Sequence, residues 1–180
     1  MTASHSLIED DHSIGRPSYA VKSRRRRCWV RWVWLWFGSV GCVSKVPLNS
    51  YDYALYKDWL ARSCRSNGVE VWSYFLMPNH VHLSLVPSDD TGLSRAVGET
   101  HRRYSGYINS RLRVTGHLFQ GRFGCVAMDE SHLMAAFRYV ALNPVKARLA
   151  TTAVDWTWSS TPAHFRGKDD GLVTVKPLLD

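Results

Sequence analysis

Hydrophobic and polar positions follow two regimes along this chain. Residues 1–23 show little periodicity, and a mobile N-terminal segment is expected there. From residue 49 the pattern is orderly. "NSYDYALYKDWLARSCRSNG" reads as a helix with Ser50 as its cap, Leu55, Trp59 and Leu60 on one face, and Gly68 as its stop. "VEVWSYFLM" is rich in β-branched and aromatic residues and predicts a strand. Pro78 and Asn79 mark a turn, and "HVHLSLV" returns as the second strand of a hairpin. "TGLSRAVGETHRRYSGYINSRL" is a long amphipathic helix with Leu93, Val97, Tyr104, Tyr107 or Ile108, and Leu112 on its buried side. A glycine-punctuated loop then leads to a strand near 122–128. "ESHLMAAFRYVAL" is a further helix, stopped or kinked at Asn143-Pro144 because the residue before proline disfavours helical geometry. The order of elements suits an α+β fold, an antiparallel sheet with helices packed on one face.

The stretch between these regimes is unusual. A run of four arginines, Arg24 to Arg27, precedes a segment holding four of the chain's eight tryptophans. Trp29, Arg31, Val33, Leu35 and Phe37 alternate as a strand would. A plain strand with a basic lead-in fits this pattern. So does a nucleic-acid contact, in which arginine meets phosphate and tryptophan stacks on bases. Residues 28–43 are too few, and Arg31 too polar, for a membrane-spanning helix.

Charge sharpens the picture. The chain carries a formal charge of +8 and a pI near 9.6, which favours a polyanionic partner. Cys28, Cys42, Cys64 and Cys125 form no C-x-x-C pair, so free thiols in a reducing cytoplasm are expected rather than zinc or disulfides. The polar, acidic start "MTASHSLIEDDHS" does not read as a secretory signal.

Chemistry gathers in two places. Along the second hairpin strand, side chains alternate, so Val81, Leu83 and Leu85 point to the core while His80, His82 and Ser84 point to an open face. The imidazoles then stand about 6.5–7 Å apart along the strand, a workable spacing for one divalent ion. Two ligands leave the coordination sphere open, as metal-assisted catalysis needs. A pair of ordinary surface histidines fits the same spacing. On the last helix, Leu133, Phe137 and Val140 form the apolar stripe, and Tyr139 lies off it. Asn143 is one turn further along the same face. Tyr139 is a candidate nucleophile and Asn143 a candidate oxygen ligand, which would suit magnesium or manganese. A packed tyrosine and a helix-ending asparagine are the plainer alternatives.

Three segments, "LMPNHVHLSLVPSDDTGLSRAVGETHRRYSGYINSR", "TGHLFQGRF" and "FRYVALNPVKARL" with the later "DWTWSS", closely resemble the REP-associated tyrosine transposases. These are single-tyrosine transposases of single-strand insertion sequences with a His-hydrophobic-His motif. The resemblance runs over residues 46–165. It implies a ferredoxin-like or RRM-like antiparallel sheet, the HUH nuclease fold. It implies that His80, His82 and Asn143 hold a divalent metal, Mg2+ or Mn2+, and that Tyr139 attacks single-stranded or hairpin DNA to form a 5′-phosphotyrosine bond. Arg102, Arg103, Arg111, Arg113, Arg122, Lys146 and Arg148 become candidate phosphate contacts. Trp156 and Trp158 are expected to pack the tail onto the body. No membrane partner is implied, and a monomer is expected, with a dimer as the alternative.

One region departs from the family. Its usual polar, histidine-bearing first strand is missing from residues 17–45. The expected organisation is therefore a mobile segment (1–23), an atypical basic, tryptophan-rich segment (24–45), the transposase domain (46–165) and a C-terminal tail (166–180). Two accounts of residues 24–45 stay open: a substitute first strand, or an out-of-frame reading of a G+C-rich gene. The matching alternative function is a catalytically inactive nucleic-acid-binding module on the same fold.

Overall fold

The computed structural model describes residues 33–36, 47–119 and 124–179. The segment 1–23, most of 24–45 and Arg122 lie outside the described residues. Strands β1 (Val33–Trp36), β2 (Val69–Leu76), β3 (Val81–Pro87) and β4 (Gly124–Ala127) form one sheet in the order β2-β3-β1-β4. Helix α1 (Ser50–Ser66) joins β1 to β2, and α2 (Gly92–Leu112) joins β3 to β4. Every neighbouring pair is antiparallel. This is the βαββαβ arrangement of the expected ferredoxin-like fold. Residues of the atypical segment supply its central strand: the β1 backbone pairs with β3 from Val33↔Leu85 to Trp36↔His82, and with β4 from Val33↔Ala127 to Trp36↔Gly124.

The β2–β3 hairpin follows from its residues. Leu76 pairs with Val81 across the turn at Pro78 and Asn79, and Met77 N–H closes it on the His80 carbonyl at 2.8 Å. A register shift between Val71 and Ser73 leaves Trp72 as a bulge. Beyond the bulge, Tyr74 and Leu76 face α1 and α2, while Ser73 and Phe75 face the opposite way.

Tyr53, Tyr56, Leu60 and Cys64 of α1 and Val97, Tyr104 and Ile108 of α2 pack on Tyr74, Leu83 and Leu85. Each such aliphatic or aromatic side chain contributes about 1.5–3 kcal/mol on burial. The α1 cap is Asn49 rather than Ser50. Its Oδ1 accepts from Asp52 N–H at 3.0 Å, and the Asp52 carboxylate accepts from Asn49 N–H at 2.8 Å. Shifting the cap by one residue puts Asp52 three positions in, where both bonds can form. Asp52 is fully buried, and it also receives Tyr107 Oη–H at 3.0 Å and the Arg111 guanidinium at 3.1 Å. This ties α2 to the start of α1.

The C-terminal residues correct the expected boundary. Leu172, Val173 and Val175 belong to the main apolar cluster, and Thr174 N–H bonds the Val71 carbonyl at 2.8 Å. Asp170 accepts from Lys57 at 2.6 Å and from the Tyr74 hydroxyl. Residues 166–179 are thus part of the domain, not a tail outside it. Trp158 stacks on Tyr53 with ring centroids 5.1 Å apart, and Trp156 Nε1–H donates to the Leu76 carbonyl, as the packing role expected of both requires.

Candidate active site

The second face of the sheet is not open. Helix α3 (Glu130–Ala141), capped by Asp129, lies on it. Val140 and Ala141 pack on Phe75, and Phe137 meets Phe75 edge-on with centroids 5.7 Å apart. His82, paired across the hairpin with Phe75, is only 5% exposed. The alternation along β3 placed it on the right face, but helix α3 covers that face. A short helix α4 (Asn143–Lys146) follows the break at Leu142.

This break delivers Asn143 to the histidines. Its side-chain amide lies 3.3 Å from His82 Nε2. The His80 and His82 rings are 4.8 Å apart, nearly perpendicular. His80 precedes the strand proper, and its Nδ1 is 2.7 Å from Asn79 Oδ1. With a carbonyl oxygen as acceptor, the proton sits on Nδ1 and the Nε2 lone pair is left to bind. Sequence reading missed Asn79. The signal was its place directly before the first histidine.

Burial lowers the pKa of His80 from its usual value. Burial, and then the neighbouring His80, bring His82 down to about 3. Both imidazoles are therefore neutral at pH 7, the form that ligates metals. Among the described residues, no three His, Cys, Asp or Glu side chains gather to hold a metal. The donor set is instead two neutral imidazoles and one amide. Such a set fits a divalent cation that keeps open positions.

Tyr139 is 56% exposed on α3, off the stripe formed by Leu133, Phe137 and Val140. The ammonium of Lys146 lies 4.3 Å from its ring centroid. The candidate phosphate contacts divide into groups. Arg111 is engaged by Asp52 and by the Pro47 carbonyl. Arg102 pairs with Glu99 at 2.9 Å, and Arg103 stacks over Trp59 at 4.7 Å. Arg113 and Arg148 are exposed and hold left-handed backbones, with φ of 55° and 56°. His80 also borders a small apolar cleft, lined in part by Tyr53, Tyr56, Tyr104 and Phe119. Among the described residues, no helix is long and apolar enough to cross a membrane.

The family model described as "Transposase IS200 like" matches residues 43–143. No curated protein matches the chain by sequence. Among solved structures, the fold is similar to that of a REP-associated tyrosine transposase bound to a REP hairpin, with a TM-score of 0.60 and 18% identity over 84% of this chain and 91% of that one. A putative transposase from Deinococcus radiodurans is also similar, at 20% identity over 66% of this chain and 95% of that one, with a TM-score of 0.45.

Proposed function

The chain belongs to the IS200-like transposase family, and from that premise we propose that it cleaves and rejoins single-stranded DNA through Tyr139. The observation that carries the reading is the Asn143–His82 contact at 3.3 Å, which joins the end of the tyrosine helix to the histidine strand. In the forward step the Tyr139 oxygen bonds to phosphorus as the bond to the 3′-oxygen breaks. The phenol proton leaves Tyr139, and the 3′-oxygen ends protonated. The product is a 5′-phosphotyrosine bond and a free 3′-OH. The reverse step rejoins a strand without an external energy source.

His80, His82 and Asn143 would hold a divalent ion, magnesium or manganese, with Asn143 turned to offer its amide oxygen. That ion, when bound, polarises the scissile phosphate as a Lewis acid. The half-buried site around His82 excludes water and keeps both imidazoles neutral. Arg113 and Arg148 have no carboxylate partner among the described residues, and we assign them to the DNA backbone ahead of Arg102 and Arg111. The similar fold that carries a REP hairpin supports a hairpin-forming repeat, or an insertion-sequence end, as the substrate. Asn143 meets His82 within one chain, which favours a monomer as the acting unit.

The test is a covalent-adduct assay with labelled single-stranded hairpin DNA and manganese or magnesium, read on a denaturing gel. A metal-dependent protein–DNA band that vanishes in Tyr139→Phe, with hairpin binding retained, is expected. Binding without any adduct from the wild-type chain would instead establish the inactive binding module.

A further inference from the structure

We propose that Lys146 is a positioning residue for Tyr139: its ammonium holds the phenol ring and counters the negative charge that forms on the phenolic oxygen. This rests on the reading of Tyr139 as the attacking group.

In an unbroken helix, residues 139 and 146 would lie about 10.5 Å apart along the axis. The chain is not unbroken. α3 ends at Ala141, Leu142 N–H turns back to the Val140 carbonyl, and α4 starts afresh at Asn143 with Pro144 in its first turn. The new turn brings the Lys146 Nζ to 4.3 Å from the Tyr139 centroid. The break that carries Asn143 to His82 therefore also carries Lys146 to Tyr139.

Several other cations of the molecule are neutralised in place. Lys57, Arg95, Arg102 and Arg111 each meet a carboxylate, on Asp170, Asp89, Glu99 and Asp52. Among the described residues no carboxylate pairs with Lys146, so its charge is not neutralised and is held over a phenol. A cation over an aromatic face is attracted by the ring's negative quadrupole, and more strongly by a ring that carries a full negative charge. That charge is greatest when the phenol has lost its proton before attack. It is greatest again when Tyr139 departs as phenoxide, while a 3′-oxygen bonds to phosphorus and gives up its proton. Lys146 touches neither phosphorus nor either 3′-oxygen in this account. It acts through the ring.

The experiment compares Lys146→Met and Lys146→Arg with wild type, using the full chain, a hairpin substrate and manganese. Hairpin affinity and the single-turnover rate of adduct formation at saturating DNA are read separately. Thermal melts check that the exposed substitutions leave the fold intact. Lys146→Met is expected to lower the saturating rate about tenfold with affinity changed less than twofold, and Lys146→Arg to restore most of the rate. Weaker binding with an unchanged saturating rate would overturn the proposal and make Lys146 a phosphate contact. An arginine variant as slow as the methionine one would overturn it too. Failure of the underlying reading looks different: the wild-type chain forms no adduct, or Tyr139→Phe still forms one.

Discussion

On the sheet face covered by α1 and α2, the hairpin strands present Tyr74, Leu76, Leu83 and Leu85, none more than 1% exposed. On the face covered by α3, the same strands present Ser73, Phe75, His82 and Ser84, none more than 5% exposed. Burial is nearly equal, and content is opposite. The first face is apolar, and buried or half-buried ion pairs such as Asp52–Arg111 and Lys57–Asp170 close its rim. The second keeps polar groups dry under a small apolar cluster of Phe75, Val140 and Ala141. Dry polar groups cost stability unless they are bonded. Dryness also keeps imidazoles neutral and strengthens their pull on a cation. One face holds the fold together, and the other carries the residues of the proposed site at some cost to stability.

The largest effects should divide along this line. Asp52→Ala removes the partner of a half-buried Arg111 and the carboxylate half of the α1 capping box together, so about 3–5 kcal/mol of stability should go. Urea unfolding measures it. The adduct rate per folded molecule should hardly change. His82→Ala should do the reverse, lowering the adduct rate roughly 10³-fold while stability moves by no more than about 2 kcal/mol. Equal rate losses in the two variants would mean that the faces do not divide the work.

Truncations within each face come next. Leu83→Ala should cost about 2–5 kcal/mol, as in a well-filled core. Val140→Ala removes two methyl groups from the smaller cluster and should cost about 1.5 kcal/mol. A larger loss at Val140 than at Leu83 would place α3 in the main folding core.

The histidines offer a subtler contrast. His101 on α2 stacks on Phe119 with centroids 3.8 Å apart and meets the Tyr56 hydroxyl at 3.0 Å. Burial brings its pKa down to about 3. Such a histidine stays neutral in the native state while the unfolded chain protonates near 6.5. Its stability contribution is therefore complete above pH 6.5 and is lost as pH falls toward 3, at about 1.4 kcal/mol per pH unit. His101→Gln should remove that slope. The stability gap between wild type and variant should narrow by about 2 kcal/mol from pH 7.5 to 5. Denaturant midpoints at the two pH values check it, and a constant gap would mean that His101 protonates freely in the fold. Asp170, whose pKa is lowered below its ordinary value, loses its contribution at more acid pH than this window.

Periodicity carried much of this in advance. The β2–β3 hairpin, α2 with Val97, Tyr104 and Ile108 inside, and α3 with Leu133 and Val140 inside were legible because each is a local repeat of 2 or 3.6 residues. His82 and Asn143 were legible as candidates for chemistry, since neither belongs to a core pattern. What stayed hidden depends on distant partners. Arg111 looked like any helix cation until a buried Asp52 lay beside it. The contact on His82 comes from Asn143, 61 residues on, beside the α3 residues that cover Phe75. Leu172, Val173 and Val175 are too few to show a period, and only their fit against β2 makes them core. The Asn49 cap was misplaced by one residue because Ser50 caps equally well on residue type alone.

The smallest effects concern Arg113, which ends α2 on the apolar side, and Arg148, which follows α4 on the site side. Both hold left-handed backbones, φ 55° and 56°, where a glycine would sit without strain. Arg113→Gly and Arg148→Gly should each raise stability by about 1 kcal/mol. If these side chains contact phosphate, each variant should also bind hairpin DNA more weakly. The slope of log affinity against log salt should then fall by about 1 per arginine removed. Stability and affinity would move in opposite directions, which a residue serving only as a helix terminus cannot produce. Weaker binding in Arg148→Gly alone would confine the DNA to the α3 face. Weaker binding in both means that the strand passes around the end of α2, so that the apolar face, inert in chemistry, still helps to hold the substrate.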